Sequence, residues 1–246
     1  MKLSRCKFVY VRDKLTSRGL RKKGIKAVCL GNPMMDGFEP FKCPLNLEKS
    51  RRLILLCGTR MPEAKTNFHR LISAVEEINS NSSISVLVAL GSYPPLFEIE
   101  DHLLKLGFEK KVFYEKELLA NSAFSKGKLH IFLGTNKFYK WANIAEVGLA
   151  NAGTATEQLV GLGVPCTSLP GKGPQFKFDF AKRQSRLLDG SVIPCSNIKQ
   201  MAKIVELLLR DQKLRDSLSL AGKKRMGFSG GSENLAKLIL NFLVFK

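Results

Sequence analysis

The feature that most constrains this chain is an alternation of short apolar runs with longer amphipathic ones. Apolar runs at 7–11, 26–30, 53–57, 84–90, 129–133, 146–150, 164–169 and 192–195 are mostly bounded by Gly, Pro or Ser, as buried parallel strands are. Between them lie amphipathic stretches. The clearest is 62–79, with Pro62 at its first position and Ala64, Phe68, Leu71, Ile72, Val75 and Ile78 on one face. Further helices are expected at 94–106, 137–144, 154–163, 176–188 and 197–209. Strand–helix alternation predicts an α/β fold: a Rossmann-like parallel sheet with helices on both faces.

Two segments break the pattern. Residues 38–50 hold two prolines and no periodicity, and read as a linker after a single strand–helix–strand unit at 1–37. From 211 onward two basic helices are expected, with a hinge-like break at 227–233 before a strongly apolar last helix at 233–245. The domain reading is therefore 1–37 as a remnant unit, 38–50 as linker, 51–228 as the main domain and 229–246 as a terminal helix.

Composition excludes several classes. No run reaches 18 consecutive apolar residues, and the basic N-terminus lacks a signal-peptide core, so a cytoplasmic protein is expected. Six scattered cysteines form no C-x-x-C pair, and His69, His102 and His130 share no ligand spacing; neither metal nor another cofactor is indicated. Residues 1–26 carry ten Lys/Arg against the single acid Asp13, about half of the net charge of +19. That charge suits nucleic acid, an anionic membrane surface, a phosphorylated substrate or simply a solvated lysine-rich surface. No RNP, zinc-finger or helix-turn-helix motif supports nucleic acid, which is not expected as a partner.

In open parallel sheets, ligands bind beyond the carboxyl ends of the strands. Three loops there are unusual. In the first, a strand runs into Gly58, Thr59 and Arg60, then a helix. Glycine permits close approach, and Arg60 either pairs with a phosphate or points to solvent. In the second, Gly153, Thr154 and Ala155 leave room for a diphosphate at a helix N-terminus, and Glu157 can accept from two ribose hydroxyls. The alternative is that Thr154 caps the helix and Glu157 balances its dipole. The third, with Gly171, Lys172 and Gln175, is a basic loop that either borders the same ligand or is an idle surface loop. None matches the single-loop dinucleotide fingerprint or the Walker phosphate loop.

The segments LLCGTRMPEA, GLANAGTATEQLVGLGVP and GNPMMD resemble, in order and spacing, motifs of bacterial lipid-A-disaccharide synthases. GNPMMDG and PGKGPQF are closer still to a branch of related proteins. The resemblance implies the C-terminal half of a GT-B fold plus a remnant of the N-terminal domain, and hexosyl transfer from a UDP-sugar donor. It gives Arg60 to the phosphate, Gly153 and Thr154 to the diphosphate, Glu157 to the ribose and Gln175 to the border of the sugar pocket. It also implies a lipid acceptor at the inner-membrane surface, and a separate N-terminal domain or a second copy as the completing partner. Cys57, Thr59 and Asn32 depart from the family's proline, serine and histidine. Family members carry an acceptor domain before the strand at 7–11, and of the acids in 1–37, Asp13 and Asp36, neither sits where the family's base would. No catalytic residue is therefore assigned, and sugar transfer by this chain alone is not expected. Alternatives are a non-catalytic nucleotide-sugar-binding module and a UDP-sugar 2-epimerase-like protein, which shares the fold.

Overall fold

The computed structural model describes residues 3–112, 118–171 and 178–244. In chain order the strands are β1 (Val9–Tyr10), β2 (Ala27–Val28), β3 (Arg51–Leu56), β4 (Ile84–Leu90), β5 (Glu109–Lys111), β6 (Ser122–Lys126), β7 (Leu129–Thr135), β8 (Val147–Ala150), β9 (Cys166–Ser168) and β10 (Val192–Pro194). The helices are α1 (Lys14–Arg21), α2 (Leu45–Glu48), α3 (Glu63–Glu76), α4 (Leu96–Lys105), α5 (Phe138–Trp141), α6 (Thr154–Gly161), α7 (Phe178–Leu187), α8 (Ile198–Arg210), α9 (Gln212–Met226) and α10 (Gly231–Val244). No helix among the described residues is long and apolar enough to cross a membrane.

Among the described residues, eight strands form one sheet in the order β10-β9-β8-β3-β4-β7-β6-β5. Six of them, from β10 to β7, are parallel, as the apolar runs predict. The edge differs from the all-parallel expectation: β6 pairs antiparallel with β7, and β5 antiparallel with β6. A two-residue turn with Gly127 at φ 58° joins β6 to β7. Charged Glu109, Lys110 and Lys111 make β5 a poor template for another strand.

Side chains on successive residues of β3 face opposite ways, which divides the core into two layers. Leu53 and Leu55 pack with Phe68, Leu71 and Ile72 of α3 and with Val205 and Leu208 of α8. Ile54 and Leu56 pack with Trp141 and with Leu159 and Val160 of α6. Both faces are thus covered by helices.

The β1–α1–β2 unit forms a separate two-stranded parallel sheet that rests on the turn between α9 and α10. Asn32 donates to the Met226 carbonyl at 2.8 Å, and Asn234 donates to the Leu30 carbonyl at 2.8 Å. Asp36 accepts from the backbone N–H of Gly230 at 2.6 Å and Ser232 at 2.8 Å. Gly31 is required by this contact. Its φ is +117°, and an added Cβ would lie 2.8 Å from the Gly231 nitrogen. Along α10, Leu235 and Leu238 are half-buried, whereas Ile239, Leu240 and Leu243 are exposed.

Candidate functional site

Sheet order places the first two loops of interest side by side. From β3 the chain runs outward to β4 and β7 on one side. It then returns to lay β8, β9 and β10 on the other. The direction of strand order therefore reverses between β3 and β8, the crevice where open α/β sheets bind ligands. Gly58, Thr59 and Arg60 leave β3 on one side of it; Gly153, Thr154, Ala155 and Glu157 leave β8 on the other. Gly171 follows β9, the next strand along, and is half-buried. Lys172 and Gln175 lie outside the described residues.

Each loop has its conformation for a local reason. Gly58 holds φ +85°, a region open to glycine and strained for other residues. Thr59 lies over Gly91 at the end of β4, where a Cβ would meet its Cγ2 at 2.6 Å. Arg60 is exposed; its carbonyl accepts from the Ala64 N–H at 2.7 Å, but its side chain has no hydrogen bond or ion pair among the described residues. Beneath the loop, burial pushes the Cys57 thiol up to about 12, which leaves it protonated and inert as a nucleophile.

The α6 N-terminus distinguishes between the two readings of its sequence. Thr154 does not cap it: Gly153 stands at the cap position and, among the described residues, no side chain bonds there. The N–H groups of Thr156 and Glu157 turn back to the Gly153 carbonyl at 3.1 and 3.3 Å. Those of Thr154 and Ala155 have no partner among the described residues, and a Cβ on Gly153 would meet nothing within 4 Å. Free N–H groups at the positive end of a helix favour an anion. By contrast α8 is capped: the Gln200 N–H donates to Asn197 Oδ1 at 2.9 Å, and the Ser196 N–H to Gln200 Oε1 at 2.7 Å. A depression of about 680 Å³ there is lined by Arg70, Lys199 and Lys203, and its helix, unlike α6, carries a side-chain cap.

A buried polar clamp ties the three strand ends together, and the sequence reading missed it. Asn151, 3% exposed, accepts from the Leu169 N–H at 2.9 Å and donates to the Leu169 carbonyl at 2.7 Å. Its amide also donates to Asn67 Oδ1 at 3.1 Å, and Asn67 donates to the Cys57 carbonyl at 3.1 Å. β3, β8, β9 and α3 are thereby locked in one register just below the loops. The signal was present in the sequence, because Asn67 is a polar residue on the otherwise apolar face of α3.

Glu157 carries an ion pair with Arg12, which the sequence reading also missed: Arg12 Nη1 lies 2.5 Å from Glu157 Oε2. The acids of 1–37 have structural tasks. Asp13 caps α1 by accepting from the Thr16 N–H at 2.8 Å, and Asp36 holds the turn before α10. Two of the histidines, distant in sequence, do meet. His69 and His102 stack at 3.6 Å between α3 and α4, and burial lowers the pKa of both, so they pack as neutral rings.

No protein-family model matches the sequence, and neither does any curated protein. Solved structures do. A protein from Listeria monocytogenes assigned as a UDP-N-acetylglucosamine 2-epimerase aligns with a TM-score of 0.63 at 15% identity, over 96% of this chain and 60% of its own. Staphylococcus aureus MnaA, in complex with UDP, aligns at 0.62 with 12% identity over 97% of this chain and 61% of its own. The C-terminal CMP-Kdo-binding domain of WaaA from Acinetobacter baumannii aligns at 0.53 with 15% identity over 74% of this chain and 91% of that domain. The chain has a Rossmann-like fold of the GT-B type. It spans about 60% of the length of the epimerases it resembles, and at these identities the likeness is one of fold. None of these three structures is a lipid-A-disaccharide synthase.

Proposed function

We propose that the crevice between β3 and β8 binds a nucleoside-diphosphate sugar, with a UDP-sugar as the first candidate. The observation that carries this reading is the meeting of two anion-friendly loops at the reversal point of the sheet, one with an uncapped helix and one with an unpaired arginine. On this reading Arg60 takes a phosphate, Gly153, Thr154 and Ala155 take the diphosphate, and Glu157 takes the ribose. Gly58 and Thr59 shape the wall, and Gly171, Lys172 and Gln175 border the sugar. The likeness in fold to UDP-bound MnaA makes uridine the first base to test.

The proposal is binding rather than turnover. Hexosyl transfer, as the lipid-A-disaccharide-synthase-like motifs suggest, needs an acceptor hydroxyl and a base in near-attack geometry. In 1–37 both carboxylates are already engaged in caps and turns. A lipid acceptor and an additional N-terminal domain or second copy belong to that transferase reading. The second reading is an epimerase-like protein, favoured by the likeness to two structures at TM-scores of 0.63 and 0.62.

Thermal unfolding with ligand tests the shared core of both. A UDP compound at 100 times its dissociation constant should stabilise the fold by about 2.7 kcal/mol, raising Tm by roughly 5 °C or more. Absence of any shift with millimolar UDP, GDP and dTDP compounds would remove the proposal.

A further inference from the structure

Two residues 145 positions apart meet at the mouth of the crevice. Arg12 follows β1, and its Nη1 donates both to Glu157 Oε2 at 2.5 Å and to the Met34 sulfur at 3.8 Å. One residue further along α6, Gln158 donates to the Met34 carbonyl at 2.8 Å. The β1–α1–β2 unit thus grips α6 at its first turns, apart from its main seat on the turn before α10.

The Arg12 and Glu157 side chains are 26% and 19% exposed, so the pair is partly buried and is screened by salt less than a surface pair. Its consequence falls on the carboxylate. A diphosphate held by the α6 N-terminus would sit about one helical turn from Glu157, and two such anions repel. A guanidinium on Oε2 offsets that charge. It also fixes the carboxylate's orientation, and among the described residues nothing else donates to Oε1, which is left to accept from a hydroxyl.

We infer that Arg12 is a positioning residue of the nucleotide site: paired with Glu157, it aims this carboxylate at the ribose and screens it from the diphosphate. The inference rests on the proposed nucleotide-sugar reading of the crevice. A latch that the ligand must break uses the same contact but has the opposite sign, since its removal would tighten binding.

A double-mutant cycle read by UDP titration separates these. Arg12→Gln should weaken UDP about tenfold, the scale of one charge-assisted hydrogen bond. In a Glu157→Gln background, the same change should alter affinity by less than about twofold, because the charge and the partner are gone. Arg12→Lys should recover part of the loss, and it also serves if the glutamine variant folds poorly. A purely structural role would lower Tm without this dependence on Glu157. Tighter binding by Arg12→Gln, or an equal loss in both backgrounds, would overturn the inference while leaving the nucleotide site intact. A wild-type chain that binds neither UDP nor another nucleoside diphosphate would instead overturn the reading of the site.

Discussion

Replacing Asn151 with alanine is expected to lower stability by about 3 kcal/mol and to weaken any ligand of the crevice. The side chain is 3% exposed and satisfies both the N–H and the carbonyl of Leu169, besides bonding Asn67. Alanine leaves these groups buried without partners, and each such group costs about 1–3 kcal/mol when water cannot reach it. The bonds also continue the β8–β9 pairing beyond the end of the strands, where the paired residues stop at Leu149 and Thr167. Without them the loops carrying Gly153 and Gly171 lose their common register. Urea denaturation of the variant measures the first effect and UDP titration the second. A loss under about 1 kcal/mol with unchanged binding would show that the clamp neither bears on the fold nor positions the site.

Arg60→Ala and Glu157→Ala should give different ligand profiles. Arg60 is exposed and unpaired among the described residues, so its removal should change stability by no more than about 0.5 kcal/mol. If it holds a phosphate, UDP should weaken by about 10- to 100-fold while uridine is unaffected, the value of a hydrogen bond to a charged group. Glu157 is assigned to the ribose, so its alanine variant should weaken uridine and UDP alike. Calorimetric titration of both ligands into both variants checks this. Matching profiles would mean that phosphate and ribose contacts have been assigned to the wrong residues.

The fold was legible where local pattern governs. Strands at 53–57, 84–90 and 146–150 are short apolar runs, because a parallel strand covered on both faces has no polar side to reveal. The β5–β6 edge was missed for the converse reason. Ser122–Lys126 has only two apolar residues, Ala123 and Phe124, and Glu109–Lys111 is charged, so neither resembles a buried strand. Gly127, between two short runs, is the hairpin signal in this stretch.

The candidate loops were legible because their chemistry is contiguous: glycine, hydroxyl and arginine after one strand, small residues before a carboxylate after another. What joins them was not. Asn67 and Asn151 are 84 residues apart, and Arg12 and Glu157 are 145 apart, so no local pattern relates them. The uncapped state of α6 was also beyond the sequence. Thr154 is a good cap by type, and only the backbone shows Gly153 in that position instead.

Hydrogen exchange with and without saturating UDP tests the central claim most directly, because it reports where the ligand acts as well as whether it binds. The N–H groups of Thr154 and Ala155 have no partner among the described residues of the free chain, and those of 58–60 border the same crevice. The account predicts that UDP slows exchange at 58–60 and 153–157. Protection confined to the depression beside Ser196 and Lys203, or none at saturating UDP, would contradict it.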